Sequence, residues 1–204
     1  MKTIVFLLFL AFSLNPLFAA DSTEKEKKDS IKLSSISLSS GDGVLSQGLL
    51  FESSFSRGED IINLYLGERD LAISYLKSFL NQKLFAGPVL EYYLNLPTIG
   101  IQMVTSPIKN VSTFSWLGFS AGAPGEKVDF AKWQYLFYYQ SVDYTLKRFT
   151  LSAIIMEYKG WQPIIDVKYR QPIMKNIDFF GSVGYNFFKD GRALFKLGIV
   201  YKNL

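Results

Sequence analysis

The chain contains no cysteine and no histidine. Without cysteine there is no disulfide framework, no thiol nucleophile and no lipid-modified N-terminal cysteine. Without histidine the chain lacks the commonest general base, the commonest transition-metal ligand and the usual pH switch. Catalysis would then need a carboxylate pair or a Ser-Lys arrangement, and neither has a recognisable signature here. The sequence therefore argues against an enzyme and predicts neither a cofactor nor a metal site.

Long apolar segments are also missing. After the first twenty residues no stretch reaches the roughly 18 consecutive apolar residues that a membrane-spanning helix needs. Yet 49% of the residues are hydrophobic and 16% are aromatic. Only helices and closed β-barrels satisfy every backbone hydrogen bond inside lipid, so a membrane protein of this composition would cross with strands.

The charge balance is weak. Lys and Arg number 22 and Asp and Glu 18, a formal net charge of +4 that falls to +3 without Lys2. The charged residues are interspersed rather than clustered. This balance gives no support to a nucleic-acid partner.

The first twenty residues have the pattern of a secretory signal peptide. Lys2 supplies the basic start, residues 4–14 are apolar, and Ala19 and Ala20 are small enough for signal peptidase. The apolar run is too short to span a bilayer comfortably as a helix, which disfavours the alternative of a membrane anchor. We expect residues 1–20 to be removed on export.

The next segment, residues 21–30, is almost wholly charged or hydroxylic. Because it has too little apolar area to bury, we expect a disordered lead-in. Residues 31–204 remain, enough for one domain with a sizeable core or one modest barrel. The predicted organisation is therefore a signal peptide, a charged lead-in and a single β domain.

Beyond residue 31, short stretches alternate between apolar and polar residues and are separated by Gly, Pro, Asp and Asn. This is typical of consecutive hairpins. In the last stretch one face holds Ala193, Phe195, Leu197, Ile199 and Tyr201, and the other holds Arg192, Lys196, Gly198 and Lys202. Asp190-Gly191 before it favours a tight turn, and residues 177–187 alternate equally well. These two stretches predict a hairpin.

Two regions are harder to assign. Residues 71–80 fit an amphipathic helix through Leu71, Tyr75 and Phe79, although the β context favours a strand. Breaks are expected near Pro97 and across residues 140–148, among other places. The segments between breaks number about twelve, or ten if weak ones merge, within a range of eight to twelve. The predicted fold is an all-β, antiparallel, up-and-down transmembrane β-barrel.

Alternation alone does not say which face is inside, since a soluble lipocalin-like barrel would turn the apolar face inward. Glycines on the polar face, such as Gly184 and Gly198, fit a narrow lumen in which long charged side chains need small neighbours. Aromatic residues near segment ends would form girdles at the lipid interfaces. The expected girdle residues are Trp116, Trp133, Tyr144, Tyr158, Trp161, Tyr169 and Tyr201.

With these features the chain resembles the Gram-negative outer-membrane β-barrel proteins, a resemblance that covers nearly all of the sequence after the signal peptide. It implies location in the outer membrane, contact with outer-membrane lipid and insertion by the barrel-assembly machinery. Barrel enzymes of this class commonly use a histidine, so the resemblance does not extend to catalysis here.

The polar faces supply candidate lumen residues, which are Glu52, Asn63, Glu91, Asp166, Lys168, Arg170, Asp178, Arg192 and Lys196. They would set the selectivity of a small channel or porin for small polar solutes. Alternatively, they would form ion pairs inside a closed barrel with a structural or interaction role. A third hypothesis is a soluble periplasmic barrel that binds an apolar ligand.

Overall fold

The computed structural model describes residues 30–42, 47–68, 70–93, 96–122, 127–131, 135–157, 161–188 and 191–203. The predicted signal peptide lies outside these residues, as does the charged lead-in apart from Ser30. In the described part of the chain no helix is long and apolar enough to cross a membrane.

The described residues form twelve β-strands. Their bounds are β1 Ile31–Asp42, β2 Gln47–Arg57, β3 Asp60–Gly67, β4 Asp70–Phe79, β5 Leu84–Tyr93, β6 Leu96–Ile108, β7 Val111–Ser120, β8 Tyr135–Leu146, β9 Phe149–Glu157, β10 Trp161–Met174, β11 Ile177–Asn186 and β12 Arg192–Lys202. Each strand pairs antiparallel with the next, and β12 pairs with β1 to close the barrel. The prediction of a twelve-strand, up-and-down barrel is confirmed.

The helical alternative for residues 71–80 was wrong, and the break expected across residues 140–148 was too wide. Residues 70–79 form strand β4. A strand boundary does fall near Pro97, because β5 ends at Tyr93 and β6 begins at Leu96. Pro97 is the second residue of β6, near a strand start, where a missing N–H costs least. Residues 140–146 belong to β8, so the turn there is confined to residues 147–148. Ser141 and Asp143 are polar because they face the lumen, and their polarity suggested a loop in the sequence.

The apolar face of the sheet points outward. In β12, Phe195, Leu197 and Ile199 are exposed, whereas Leu194 and Gly198 on the opposite face of the strand are buried. The same alternation repeats in β4, β9 and β11. A soluble barrel would bury the bulky apolar face instead, so the lipocalin-like alternative is not supported by this arrangement.

The seam between β1 and β12 is held at both ends by side chains. At one end Arg192 and Asp42 form an ion pair. At the other, the Asn203 backbone N–H donates to the Ser34 carbonyl at 2.8 Å, and the Asn203 amide donates to the Leu33 carbonyl at 2.9 Å. Eight consecutive residue pairs join the two strands between these clamps.

The two ends of the barrel differ in their connections. At one end the strands are joined by residues 58–59, 80–83, 109–110, 147–148 and 175–176, and β1 begins and β12 ends there. We call this the turn end. The opposite end, which we call the loop end, carries the long connection between Ser120 of β7 and Tyr135 of β8.

Candidate lumen site

A cavity of about 320 Å³ lies inside the barrel. Every strand from β2 to β12 contributes at least one side chain to its wall, so the cavity occupies the lumen rather than a cleft on one side. Its volume is in the range of small-molecule binding cavities. The wall therefore determines what the lumen can accept.

The cavity wall is richer in carboxylates than in cations. The charged side chains among its described lining residues are Glu52, Asp70, Glu91, Asp143, Asp166, Lys168 and Lys196. Five are acidic and two are basic. With all seven ionised, the wall has an excess of negative charge, which attracts cations and repels anions in a low-dielectric pore.

Neighbouring residues restrict the positions of several charged side chains in the cavity wall. Ser37 donates to Glu52 at 2.8 Å. Gly184 stands opposite Asp166, and a methyl group at Gly184 would lie 2.8 Å from an Asp166 carboxylate oxygen. The Lys168 ammonium lies 5.8 Å from the centre of the Phe180 ring, within the range of a cation–π contact. The glycine next to the carboxylate is what the sequence suggested for a narrow lumen.

One side of the lumen is aromatic. Trp116 and Phe137 are in edge contact at 4.7 Å between ring centres, and Phe114 and Tyr139 at 5.6 Å. The apolar cluster around them includes residues of β5, β9, β10 and β12. Packed aromatic and apolar side chains therefore fill part of the lumen beside the cavity.

All nine residues expected at the lumen lie on inward-facing positions of their strands, as the strand register shows. Five of them, Glu52, Glu91, Asp166, Lys168 and Lys196, line the cavity. Whether any of the nine acts on a passing solute stays a prediction.

The other four lie above or below the cavity. Asn63 accepts a hydrogen bond from Ser54 at 2.7 Å and donates to Ser74 at 3.3 Å. Near the turn end, Arg170 lies 3.8 Å from Asp178, which also pairs with Lys202. Arg192 is at the loop end in its pair with Asp42. The structure thus separates the predicted set into a cavity group and two mouth groups.

Sequence reasoning missed Asp70, Asp143, Gln102 and Trp116, which also line the cavity. Asp143 fell in the segment 140–148, where a break was expected. Trp116 was expected in the interfacial girdle, but it is 4% exposed and faces inward. Its place between Phe114 and Gly118 on one face, opposite Leu117 and Phe119, was the signal that could have identified it.

The remaining girdle residues divide into two groups. Tyr144, Trp161 and Tyr201 are exposed and Tyr169 is partly exposed, all on the outward face. Trp133 and Tyr158 lie outside the described residues.

No family model matches the chain, and no curated protein does either. Among solved structures it is similar to the KdgM porin, described "in complex with disordered oligogalacturonate", with 14% identity and a TM-score of 0.51 over 83% of this chain and 99% of that one. The NanC porin gives 10% identity and a TM-score of 0.53 over 84% of this chain and all of that one. At these identities the likeness concerns the fold. The chain has the fold of outer-membrane β-barrels, a class that includes porins.

Proposed function

We propose that the protein is a non-enzymatic outer-membrane channel that passes small polar solutes and favours cations. The observation that carries this proposal is the lumen cavity, whose described wall holds five carboxylates and two ammonium groups. The outward apolar face and the porin fold support the location in the outer membrane.

The acidic wall argues against transferring the ligand of the KdgM complex to this chain. Oligogalacturonate carries many carboxylates, and a wall with an excess of carboxylates repels a polyanion. The aromatic side further narrows the path, so small cations and small polar molecules fit better than polymers.

Planar bilayers test the proposal directly. The refolded protein should open ion-conducting channels, with a K⁺ over Cl⁻ permeability ratio of roughly 3 or more from the reversal potential in a KCl gradient. The variant Glu52→Gln/Asp166→Asn should move the ratio towards one, because it removes two of the five wall carboxylates. Lys196→Gln should move it the other way.

The matched control is Glu59→Gln, which removes one carboxylate from an exposed turn away from the cavity. It should leave the ratio unchanged. Protein that is verifiably folded but shows no openings would contradict the channel and favour the closed barrel. Anion preference in the unaltered protein would contradict the assigned role of the carboxylates.

A further inference from the structure

The turn end of the barrel carries a strong excess of basic side chains. Among described residues those that are not on the lumen face with Asp178 are Lys32, Arg57, Lys77, Lys83, Lys109, Lys147, Arg148 and Lys175, and we call them the basic collar. The described acidic residues at this end are Glu59, Asp60 and Asp178. All of the collar residues are exposed.

Internal pairing accounts for little of this excess. Asp178 pairs with Lys202 and lies 3.8 Å from Arg170. Asp60 accepts hydrogen bonds from Tyr75 and from the Ser78 backbone at 3.0 Å. The four turn lysines, Lys83, Lys109, Lys147 and Lys175, make no ion pair with any described residue. Their charge is therefore available to a partner.

The described residues of the opposite end carry more acidic than basic side chains. Its described charged residues are Asp42, Glu68, Asp70, Asp129 and Glu157 on the acidic side and Lys127 and Arg192 on the basic side. Among the described residues, the basic excess is thus confined to the turn end.

Apolar residues accompany the basic ones on the turns. Leu80 is 73% exposed, Ile108 68% and Met174 64%, and each lies within three residues of a collar lysine. Exposed aliphatic side chains are not stabilised by contact with water, and they do not contribute to the binding of an acidic protein partner. Lysine beside exposed aliphatic residues fits the boundary between lipid headgroups and acyl chains, where the aliphatic part is buried and the ammonium reaches phosphate.

The collar is also held in a defined position. In four of the five turns a backbone carbonyl accepts a hydrogen bond from the strand that follows the hairpin. The Ser106 N–H donates to Lys83 at 3.0 Å, and the N–H groups of Thr145, Arg170 and Lys202 donate to Asn110, Arg148 and Asn176 at 2.8 Å each. These bonds join neighbouring hairpins around the barrel. The basic side chains therefore stand on a fixed ring rather than on independent loops.

We infer that the basic collar binds the phosphates of anionic phospholipids in the membrane leaflet that faces the turn end. This inference rests on the proposed membrane location and is independent of conduction. In bacterial barrels the short turns face the periplasm, so the leaflet is the one on the periplasmic side. Attraction of basic residues to an anionic membrane surface is sequence-independent and screened by salt.

Spin-labelled lipids give the test. The refolded protein in phosphatidylcholine bilayers should bind spin-labelled phosphatidylglycerol more tightly than spin-labelled phosphatidylcholine, with a relative association constant of roughly 2 or more. The preference should disappear in about 1 M NaCl. The variant Lys109→Gln/Lys147→Gln should lose at least half of it, whereas Lys127→Gln, which removes an exposed positive charge at the loop end, should retain it.

The outcomes are distinguishable. A protein that inserts into the bilayer but shows no lipid preference, or one whose preference falls equally in both variants, overturns the collar inference and leaves the channel proposal intact. A protein that remains soluble without lipid or detergent overturns the membrane location, and the collar inference with it.

Discussion

At the scale of single residues, glycine makes room for charge inside the barrel. Gly184 faces inward on β11 opposite Asp166, where a methyl group would come within 2.8 Å of the carboxylate and 3.0 Å of the Ile165 carbonyl oxygen. The carbonyl belongs to the backbone and cannot rotate away. The size of residue 184 therefore limits where the Asp166 carboxylate can lie.

Gly184→Ala should lower the free energy of unfolding by about 1–3 kcal/mol, as overpacking typically does, and should change single-channel conductance by displacing Asp166. Urea unfolding in detergent or lipid measures the first effect. Gly181→Ala, on the same strand but facing outward, is the control. Its methyl group would meet the flexible end of Leu197 at 3.0 Å, so a smaller loss is expected. Equal losses at the two glycines would argue against a constraint from the lumen.

At the scale of the strand, the two faces of β12 belong to different environments. Leu197 is 59% exposed on the outward face, and Lys196 beside it lines the cavity. A charge therefore has opposite consequences at neighbouring positions.

Leu197→Arg should cost about 2–4 kcal/mol of folding free energy in a bilayer, because an arginine near the membrane centre loses its hydration. Met174→Arg, at the turn end, should cost about 0–1 kcal/mol, because the guanidinium reaches the headgroups. Equilibrium unfolding in lipid vesicles compares them. A similar cost for both would mean that Leu197 does not face the hydrocarbon core.

Strand patterns could be predicted from the sequence, whereas strand boundaries often could not. The alternation of apolar and polar residues identified β11 and β12, because successive side chains face lipid and lumen in turn. The break expected across residues 140–148 was too wide, because a polar residue such as Asp143 is equally common in a lumen wall and in a loop. Trp116 was misplaced for a related reason: tryptophan suits a girdle and a packed lumen equally, and only its strand neighbours distinguish them.

At the scale of the whole molecule, the barrel holds every strand between two others. The prediction of a lumen site was less complete than that of the fold, since a cavity collects residues from eleven strands and sequence gives no register between them. Register places Glu52 opposite Tyr65 and Asp143 opposite Ser152. The register of all the hairpins together determines these pairs. The composition of the cavity wall could therefore be read from the structure but not from the sequence.

The folded protein should migrate faster on a denaturing gel when it is not heated than after boiling. The reason is that a barrel with continuous backbone pairing keeps its compact shape in detergent until heat breaks the pairing. Urea-unfolded protein loaded without heating is the control and should migrate like the boiled sample. Identical mobility of heated and unheated refolded protein would contradict the barrel.

The seam between β1 and β12 also has a consequence for how the protein avoids aggregation. The seam joins the first and last strands, Ile31–Asp42 and Arg192–Lys202, which lie at opposite ends of the described sequence. Each supplies the backbone hydrogen-bond partners for the free edge of the other. Before they meet, the sheet has two unpaired edges, each a template for another chain; afterwards it has none. The aggregation-prone state is therefore the open sheet in which β1 and β12 are not yet paired. Pairing of β12 with β1 removes both free edges and with them the tendency to self-associate.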